Sequence, residues 1–165
     1  MRRDIVWIAH GLALSVLAFA LAWGYIVEGY YAKLPCSLCM LQRAAMLGVG
    51  IGLLGNLRYG IHLQYYAFAL LFSVFGLFCS GKHIVLNACS VKVLGPLSFL
   101  SYRLYTWAFL IFFSMICGIS LLLFLLRQHE EKEPLKWLWR VFGAIWSIFL
   151  VLGALSAYRK LGFCL

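Results

Sequence analysis

Charged residues are scarce in this chain of 165 residues, since 12% are Asp, Glu, Lys or Arg while 65% are hydrophobic. Soluble domains carry about 25% charged residues, which cover the surface that faces water. The shortage of charge therefore excludes a soluble enzyme, a disordered regulator and a secreted disulfide-rich mini-protein. Long uncharged runs are present instead, and they indicate a small polytopic helical membrane protein.

Acidic residues are rarer still, with five Asp and Glu against fourteen Lys and Arg, which gives a formal net charge of +9. An excess of this size raises the question of nucleic acid as a partner. The basic residues, however, stand mostly singly between apolar runs and form no Lys/Arg-rich segment. This pattern is typical of residues that anchor helix ends at lipid headgroups. We therefore expect membrane lipid, and no nucleic acid, as a partner.

Five apolar runs indicate membrane-spanning helices, because about 20 helical residues cross the hydrocarbon core of a bilayer. The sequence predicts a single membrane domain over 1–165. Its class is all-α, with a four-helix transmembrane bundle as the core and a fifth transmembrane helix at the C-terminus. The glycines of the second run are small residues of the kind that lets membrane helices pack closely; they are Gly48, Gly50, Gly52 and Gly55. The predicted spans are 5–27, 37–57, 63–78, 104–126 and 138–158.

The first apolar run has an alternative interpretation as a cleaved signal peptide. Arg2 and Arg3 would be its basic region, and Ala18-Phe19-Ala20 would be its cleavage site. The apolar part of a signal peptide is about 7–15 residues long. The first run exceeds that length, so the sequence favours a retained span.

The same two arginines set the expected orientation, because basic residues accumulate on the cytoplasmic side of a membrane. An N-terminus in the cytoplasm places the loops 28–36 and 79–103, and the C-terminus, outside. Over the whole chain, with Arg2 and Arg3 included, the fourteen basic residues divide evenly between the two sides. The predicted orientation therefore depends on Arg2 and Arg3 and on the chemistry of the outer loops.

The strongest chemical signal is the Cys36–Cys39 pair at the predicted start of the second helix. Cysteines three residues apart on the first turn of a helix are close enough to form and break a disulfide. The helix N-terminus favours a thiolate there. Arg43 projects to the same face, one turn beyond Cys39. Its charge stabilises a thiolate and is placed to hold the carbonyl oxygen of an apolar electron acceptor.

Two other interpretations of this pair lead away from redox chemistry. A structural zinc site usually needs four Cys or His ligands, and Cys79, His83 and Cys89 are the residues that complete such a set in sequence. The other interpretation is a pair of inert buried thiols. The placement of Arg43 and the membrane setting favour the redox interpretation, so we expect no metal.

Cys79 and Cys89 stand near the two ends of a polar segment that shares the predicted outer side with the first pair. Thiol–disulfide exchange requires a thiolate that attacks a neighbouring disulfide, so four cysteines on one side permit a relay. A static loop disulfide, or Cys79 as a small apolar residue, remains an alternative. The pairing among Cys79, Cys89 and Cys164 is open, and Cys117 is interpreted as a packing residue within a span.

Residues 35–43 read Pro-Cys-Ser-Leu-Cys-Met-Leu-Gln-Arg, directly after the first span and at the opening of the second. This Pro-Cys-x-x-Cys-x-x-Gln-Arg string resembles the bacterial disulfide bond formation family DsbB, especially its BdbC-type branch. A second outer loop with two more cysteines strengthens the resemblance, which covers roughly residues 1–126. The fifth apolar run exceeds the four spans of that family, and Cys164 has no counterpart in it.

The resemblance implies a membrane oxidoreductase that supports disulfide bond formation in exported proteins. Such a protein re-oxidises a soluble thioredoxin-like dithiol oxidase outside the bacterial plasma (inner) membrane and passes electrons to the membrane quinone pool. The implied cofactor is a quinone, either ubiquinone or menaquinone. Cys39 would face the quinone, Cys36 would be its exchange partner and Arg43 would contact the quinone. Cys79 and Cys89 would be the catalytic pair that meets the soluble partner.

Two further hypotheses compete with this one. A vitamin K epoxide reductase-like protein runs similar chemistry, but its active Cys-x-x-Cys usually lies late in the bundle rather than after the first helix. A non-enzymatic membrane scaffold or small transporter with structural disulfides belongs to another class. Intramembrane acidic residues would favour a transporter, yet the five acids are expected at helix ends or in loops.

Overall fold

The computed structural model describes residues 2–31, 36–88, 98–99, 102–126 and 136–162, and these are almost entirely helical. Two strands of two residues each pair antiparallel directly before the fourth helix, with Ser98 opposite Arg103. The elements in chain order are α1 (Arg2–Tyr31), α2 (Ser37–Tyr59), α3 (Leu63–Ala88), β1 (Ser98–Phe99), β2 (Tyr102–Arg103), α4 (Leu104–Leu126) and α5 (Lys136–Gly162).

All five helices of the described chain are long and apolar enough to cross a membrane. Many large apolar side chains, such as Phe78, Phe124 and Val151, lie on the outer surface of the bundle. An aqueous protein would bury much of this area, whereas lipid accepts it. The chain is therefore a multi-pass, all-α membrane protein, and the predicted fold class is confirmed. The spans are Val6–Glu28, Ser37–Tyr59, Leu63–Leu86, Thr106–Phe124 and Trp137–Arg159.

Two helices extend further than the sequence predicts. α1 continues to Tyr31, so Glu28 belongs to a helix rather than to a loop over 28–36. α3 continues to Ala88, so Cys79 lies inside a helix rather than at the start of a loop over 79–103. Polar residues indicate a loop only where their polar groups have no hydrogen-bond partner other than water. Here Ser80 donates to the Gly76 carbonyl (2.8 Å) and accepts from Gln42 of α2 (3.1 Å), so α3 carries its polar residues inside the bundle.

The glycines of α2 bring the neighbouring helices close, as the sequence predicts. A Cβ atom at Gly48 would overlap the Phe72 ring of α3, and one at Gly52 would lie 2.8 Å from the Tyr65 carbonyl oxygen. α2 then ends at Gly60, whose φ of 93° belongs to the left-handed region that glycine adopts without strain. The close approach and the short turn make α2 and α3 an antiparallel hairpin.

α5 packs on the opposite side of α2 through Trp146. This side chain is 2% exposed, and its indole Nε1 donates to the Leu47 carbonyl oxygen at 3.0 Å. The indole occupies the space that a side chain at Gly50 would need. The fifth helix is therefore part of the bundle, held by a fit between one glycine and one tryptophan.

We expect Gly50→Ala to lower the free energy of unfolding by about 1–3 kcal/mol, the usual cost of overpacking a close contact. Gly118→Ala in α4 is the matched control, because nothing lies within 4 Å of the position of its added Cβ atom. The control should be neutral or slightly stabilising, since alanine favours a helix more than glycine does. Reversible unfolding of both variants in detergent, followed by circular dichroism, measures the difference. Equal stabilities would contradict the docking of α5 on α2.

A buried polar pair connects α1 to α3. His10 of α1 donates from Nδ1 to the Val6 carbonyl oxygen at 2.8 Å, since a carbonyl only accepts. Its Nε2 then accepts from the Tyr66 hydroxyl at 3.1 Å. Both polar groups are thus satisfied within the core, and a structural role accounts for this histidine.

Candidate functional site

The cysteine pair lies where α2 begins. Cys36 is the N-cap residue, and its Sγ accepts a hydrogen bond from the Cys39 backbone N–H at 3.2 Å. Its carbonyl oxygen accepts from the Met40 N–H at 3.1 Å, which is the first hydrogen bond of the helix. The predicted helix start is therefore confirmed, and both sulfurs belong to the turn where unpaired backbone N–H groups stabilise negative charge.

The two sulfur atoms of this pair are 2.7 Å apart. A disulfide bond is about 2.05 Å long, so a small side-chain rotation brings the two sulfurs to bonding distance, and a two-electron oxidation with loss of both thiol protons then forms the bond. Cys36 is exposed, whereas Cys39 is partly buried. The Cys36 sulfur is therefore the one that a second protein can reach, whereas the Cys39 sulfur lies against the helix bundle.

Arg43 lies one turn beyond Cys39 and is held by α1. Its side chain is 15% exposed and forms an ion pair with Glu28 through Nη1. Its Nη2 donates to the Gly24 carbonyl oxygen at 2.9 Å, and its guanidinium carbon lies 4.6 Å from the centre of the Tyr25 ring. The arginine is therefore oriented by three neighbouring residues of one helix end.

Glu28 belongs to the candidate site, and the sequence did not predict it there. An arginine inside an apolar span needs a partner, and this requirement was the available signal. Glu28 precedes α2 and is the acid nearest to Arg43 along the chain. Its assignment to a polar loop hid the pair. The Glu28 side chain is 16% exposed. The ion pair therefore holds two largely buried, opposite charges where α1 ends and α2 begins, and their charges cancel.

α5 reaches the same end of the bundle. Ser156 Oγ donates to the second carboxylate oxygen of Glu28 at 3.2 Å. Tyr25 stacks against Phe149 with ring centres 6.2 Å apart, and a Cβ atom at Gly153 would lie 3.1 Å from the Tyr25 hydroxyl. The C-terminal half of α5 therefore supports the side chains that hold Arg43.

His83 of α3 is the third chemical group at the cysteine pair. One ring nitrogen of His83 and the sulfurs of Cys36 and Cys39 all lie within 4.8 Å of one another. The Gln42–Ser80 hydrogen bond explains this proximity, because Cys39 lies one turn before Gln42 and His83 one turn after Ser80 in the antiparallel helix. The sequence alone does not reveal this register. From the sequence, His83 was therefore only one of several alternative zinc ligands.

The second predicted cysteine pair is described only in part. Cys79 is 4% exposed inside α3, while Cys89 and Cys164 lie outside the described residues. Helical residues from Cys79 to Ala88 rise about 13.5 Å, whereas disulfide-bonded residues have Cα atoms less than about 7 Å apart. A direct Cys79–Cys89 disulfide therefore requires the last turns of α3 to unwind. The redox role of both residues stays a prediction.

Comparison with known proteins connects this geometry to a family. The family model described as "Disulfide bond formation protein DsbB" matches residues 3–94, which is more than half of the chain. The chain belongs to the DsbB family. The matched segment contains α1 apart from Arg2, together with α2 and α3, and thus Cys36, Cys39, Arg43 and His83. The predicted resemblance to the DsbB family is confirmed, and the match covers residues 3–94 rather than the predicted 1–126.

The chain also resembles a curated protein over about half of its length. "Disulfide bond formation protein B" of Ralstonia nicotianae is 37% identical over 84 residues, which are 47% of this chain and 50% of that protein. The chain thus spans about half the length of this curated relative. No solved structure matches the chain. α4 and α5 lie beyond the residues matched by the DsbB model.

Proposed function

We propose that this chain is a membrane thiol–disulfide oxidoreductase that re-oxidises a soluble, extracytoplasmic thioredoxin-like dithiol oxidase. It passes the two electrons to a membrane quinone, either ubiquinone or menaquinone, and thereby supports disulfide bond formation in exported proteins. One observation carries the proposal, namely the 2.7 Å separation of two sulfurs, one exposed and one inner, at the start of a membrane-spanning helix. Arg43 one turn deeper adds the electrostatic element of the same site.

The exchange half of the reaction enters through Cys36. A thiolate of a reduced donor attacks the Cys36 sulfur of the Cys36–Cys39 disulfide, so a mixed disulfide forms and Cys39 leaves as a thiolate. The second thiol of the donor then attacks the mixed disulfide and releases Cys36. The donor leaves as a disulfide, and the chain has gained two electrons. Cys36 fits this entry role because it is the exposed member of the pair.

Cys79 and Cys89 complete the proposed pathway as the pair that meets the soluble partner. They would accept the partner's electrons first and then serve as the donor for the Cys36–Cys39 disulfide. Because Cys79 is buried in α3, this relay requires the end of that helix to open. Burial in the closed helix would shield Cys79 from other thiols between turnovers.

The groups beside Cys39 fit a quinone. A bound quinone supplies the two-electron acceptor for the reduced pair. Arg43 carries five N–H donors, and its contacts with Gly24 and Glu28 involve two of its nitrogens. A remaining N–H is available to orient a carbonyl oxygen next to Cys39. Glu28 balances the charge of Arg43, which lowers the cost of holding that cation near hydrocarbon.

The proposed location is the bacterial plasma (inner) membrane, with a cytoplasmic N-terminus and the Cys36–Cys39 pair on the extracytoplasmic side. The contacts of Glu28 with Arg43 and Ser156 put the C-terminal ends of α1 and α5 at the same end of the bundle as the pair. Five spans in alternation produce that arrangement. On the outer side, cytosolic glutathione does not reduce the pair, whereas quinone keeps it oxidised.

A thiol count tests the exchange half directly. The purified full chain in detergent, with its pair oxidised, is mixed with one equivalent of a reduced thioredoxin-like dithiol oxidase in the absence of quinone. Alkylation with a mass-shifting reagent then counts thiols on each protein. The proposal predicts that the soluble protein loses two thiols as this chain gains two. If the pair stays oxidised and the donor keeps both thiols, the sulfurs form a structural disulfide.

Ser156→Ala tests the contribution of α5 to the site. Loss of the hydrogen bond to Glu28 loosens the carboxylate that orients Arg43, and such bonds to a charged group contribute about 1.5–3 kcal/mol when well buried. Since this group is partly exposed, we expect a smaller effect, with the apparent KM for quinone raised about threefold to tenfold. Ser147→Ala, on the exposed face of α5 with its hydroxyl bonded to Gly143, is the control. Equal KM values for the two variants would remove Ser156 from the site.

A further inference from the structure

A second chemical property of the cysteine pair follows from its neighbour on α3. The two sulfurs and one ring nitrogen of His83 all lie within 4.8 Å of one another. Within the described part of the chain, Cys79 is not a member of this group. Among the residues that the structure describes, the cluster therefore has three ligands, and it differs in this way from the four-ligand zinc site considered from the sequence.

These three ligands match the requirements of a soft divalent cation. Zinc binds sulfur at about 2.3 Å and imidazole nitrogen at about 2.0–2.1 Å, so tetrahedral ligand atoms lie about 3.3–3.8 Å apart. The sulfurs, now 2.7 Å apart, have to separate by about 1 Å to reach this spacing. Cys36 permits the change because its side chain is exposed at the N-cap. Two thiolates and one imidazole leave a fourth position open for water.

We propose that the reduced protein binds one Zn²⁺ ion through Cys36, Cys39 and His83. Binding replaces the two thiol protons, which are released to solvent, and forms two zinc–sulfur bonds and one zinc–nitrogen bond. No electron is transferred in this step. The oxidised protein has both sulfurs in a disulfide and offers no thiolate, so the site exists only in the reduced state.

The consequence for turnover rests on the proposed function. Zinc-bound thiolates are withheld from disulfide formation, so the metal traps the protein in its reduced form. Access from water is provided by Cys36, the exposed ligand. The cluster is thus an inhibitory site that depends on redox state, because zinc binds only when the cysteine pair is reduced and then prevents its oxidation.

Metal binding is measured on the full chain in detergent without quinone or any partner protein. The reduced protein is titrated with Co²⁺, whose bond to a thiolate gives a charge-transfer absorption band, and Zn²⁺ is then added in competition. We expect one ion per chain in the reduced protein and none in the oxidised protein. His83→Gln should raise the zinc dissociation constant at least about tenfold, since it removes one of three ligands.

The matched control is His62→Gln, which changes a histidine in the turn between α2 and α3, at the other end of these helices. This variant should bind zinc as the unaltered chain does. Equal zinc affinity in the His83 and His62 variants would overturn the three-ligand site and leave simple chelation by two cysteines. Circular dichroism of the His83→Gln variant establishes that its helices are retained, and His83→Asn repeats the test with a shorter amide.

A failure of this inference is distinguishable from a failure of the proposed function. Absence of zinc binding in a chain that exchanges thiols normally would remove only the metal site. Zinc binding with no thiol exchange would leave the metal site and remove the enzyme. A zinc-loaded chain that is oxidised as fast as the metal-free chain would contradict the inhibitory consequence.

Discussion

We expect replacement of either cysteine of the first pair, as Cys36→Ser or Cys39→Ser, to abolish dithiol-dependent quinone reduction. A hydroxyl forms no disulfide, so the two-electron store of the site is lost altogether. The reduction rate should fall to that of a reaction without protein, a loss of at least about a thousandfold for a residue that forms the covalent intermediate. Quinone absorbance followed in detergent, with a reduced thioredoxin-like oxidase as the donor, measures the rate.

Cys117→Ser is the matched control for this experiment. Cys117 is exposed on α4, which corrects its interpretation as a packed residue within a span. It faces outward from the bundle, so its replacement should leave the rate unchanged. Full activity in either Cys36→Ser or Cys39→Ser would contradict the assignment of the pair as the redox centre.

The second large effect concerns Arg43. We expect Arg43→Ala to raise the apparent KM for quinone about tenfold to a hundredfold, the range that corresponds to a lost hydrogen bond from a charged donor of about 1.5–3 kcal/mol. Thiol exchange should change far less, because electrons from the soluble donor enter the Cys36–Cys39 pair at Cys36, at the exposed end of the helix turn. Parallel measurements of quinone KM and of the exchange rate separate the two roles.

Removal of Arg43 alone leaves Glu28 without its cation, and an uncompensated charge of this kind destabilises a protein. The double variant Arg43→Ala/Glu28→Gln removes both charges, so no unpaired charge destabilises the fold and the quinone KM can be measured on folded protein. Arg58→Ala is the control, since Arg58 is exposed at the other end of α2 and packs over Trp139. An unchanged quinone KM in the folded double variant would exclude Arg43 from the quinone site.

Arg43→Lys adds a more specific test of how this arginine works. Lysine keeps the positive charge but lacks the planar fork that lets one guanidinium bind Glu28 and the Gly24 carbonyl together. We expect the quinone KM of this variant to lie between that of the unaltered chain and that of Arg43→Ala. A value equal to that of the unaltered chain would mean that charge alone suffices.

The features that local sequence patterns encode were predictable. Long uncharged runs identify the spans, and Cys36 marks the start of α2, where it is the N-cap residue. The glycines of α2 indicate close packing, and the structure assigns Gly48 to Phe72 and Gly50 to Trp146. These predictions succeeded because each depends on residues near one another in the chain.

The features that depend on distant residues were not predictable in the same way. Glu28 and Ser80 look like loop residues because their partners, Arg43 and Gln42, belong to another helix. The polarity of a residue places it in a loop only when no such partner exists. His83 likewise reaches the cysteine pair through the register of α2 against α3, which no pattern in a single segment records.

The most direct test of the central claim is quinone reduction by the purified chain. Protein with its Cys36–Cys39 pair oxidised is supplied with a reduced thioredoxin-like oxidase and with either ubiquinone or menaquinone. We expect repeated turnover with at least one quinone, in which one quinone is reduced for each dithiol oxidised. Protein with an intact, oxidised pair that reduces neither quinone would contradict that claim.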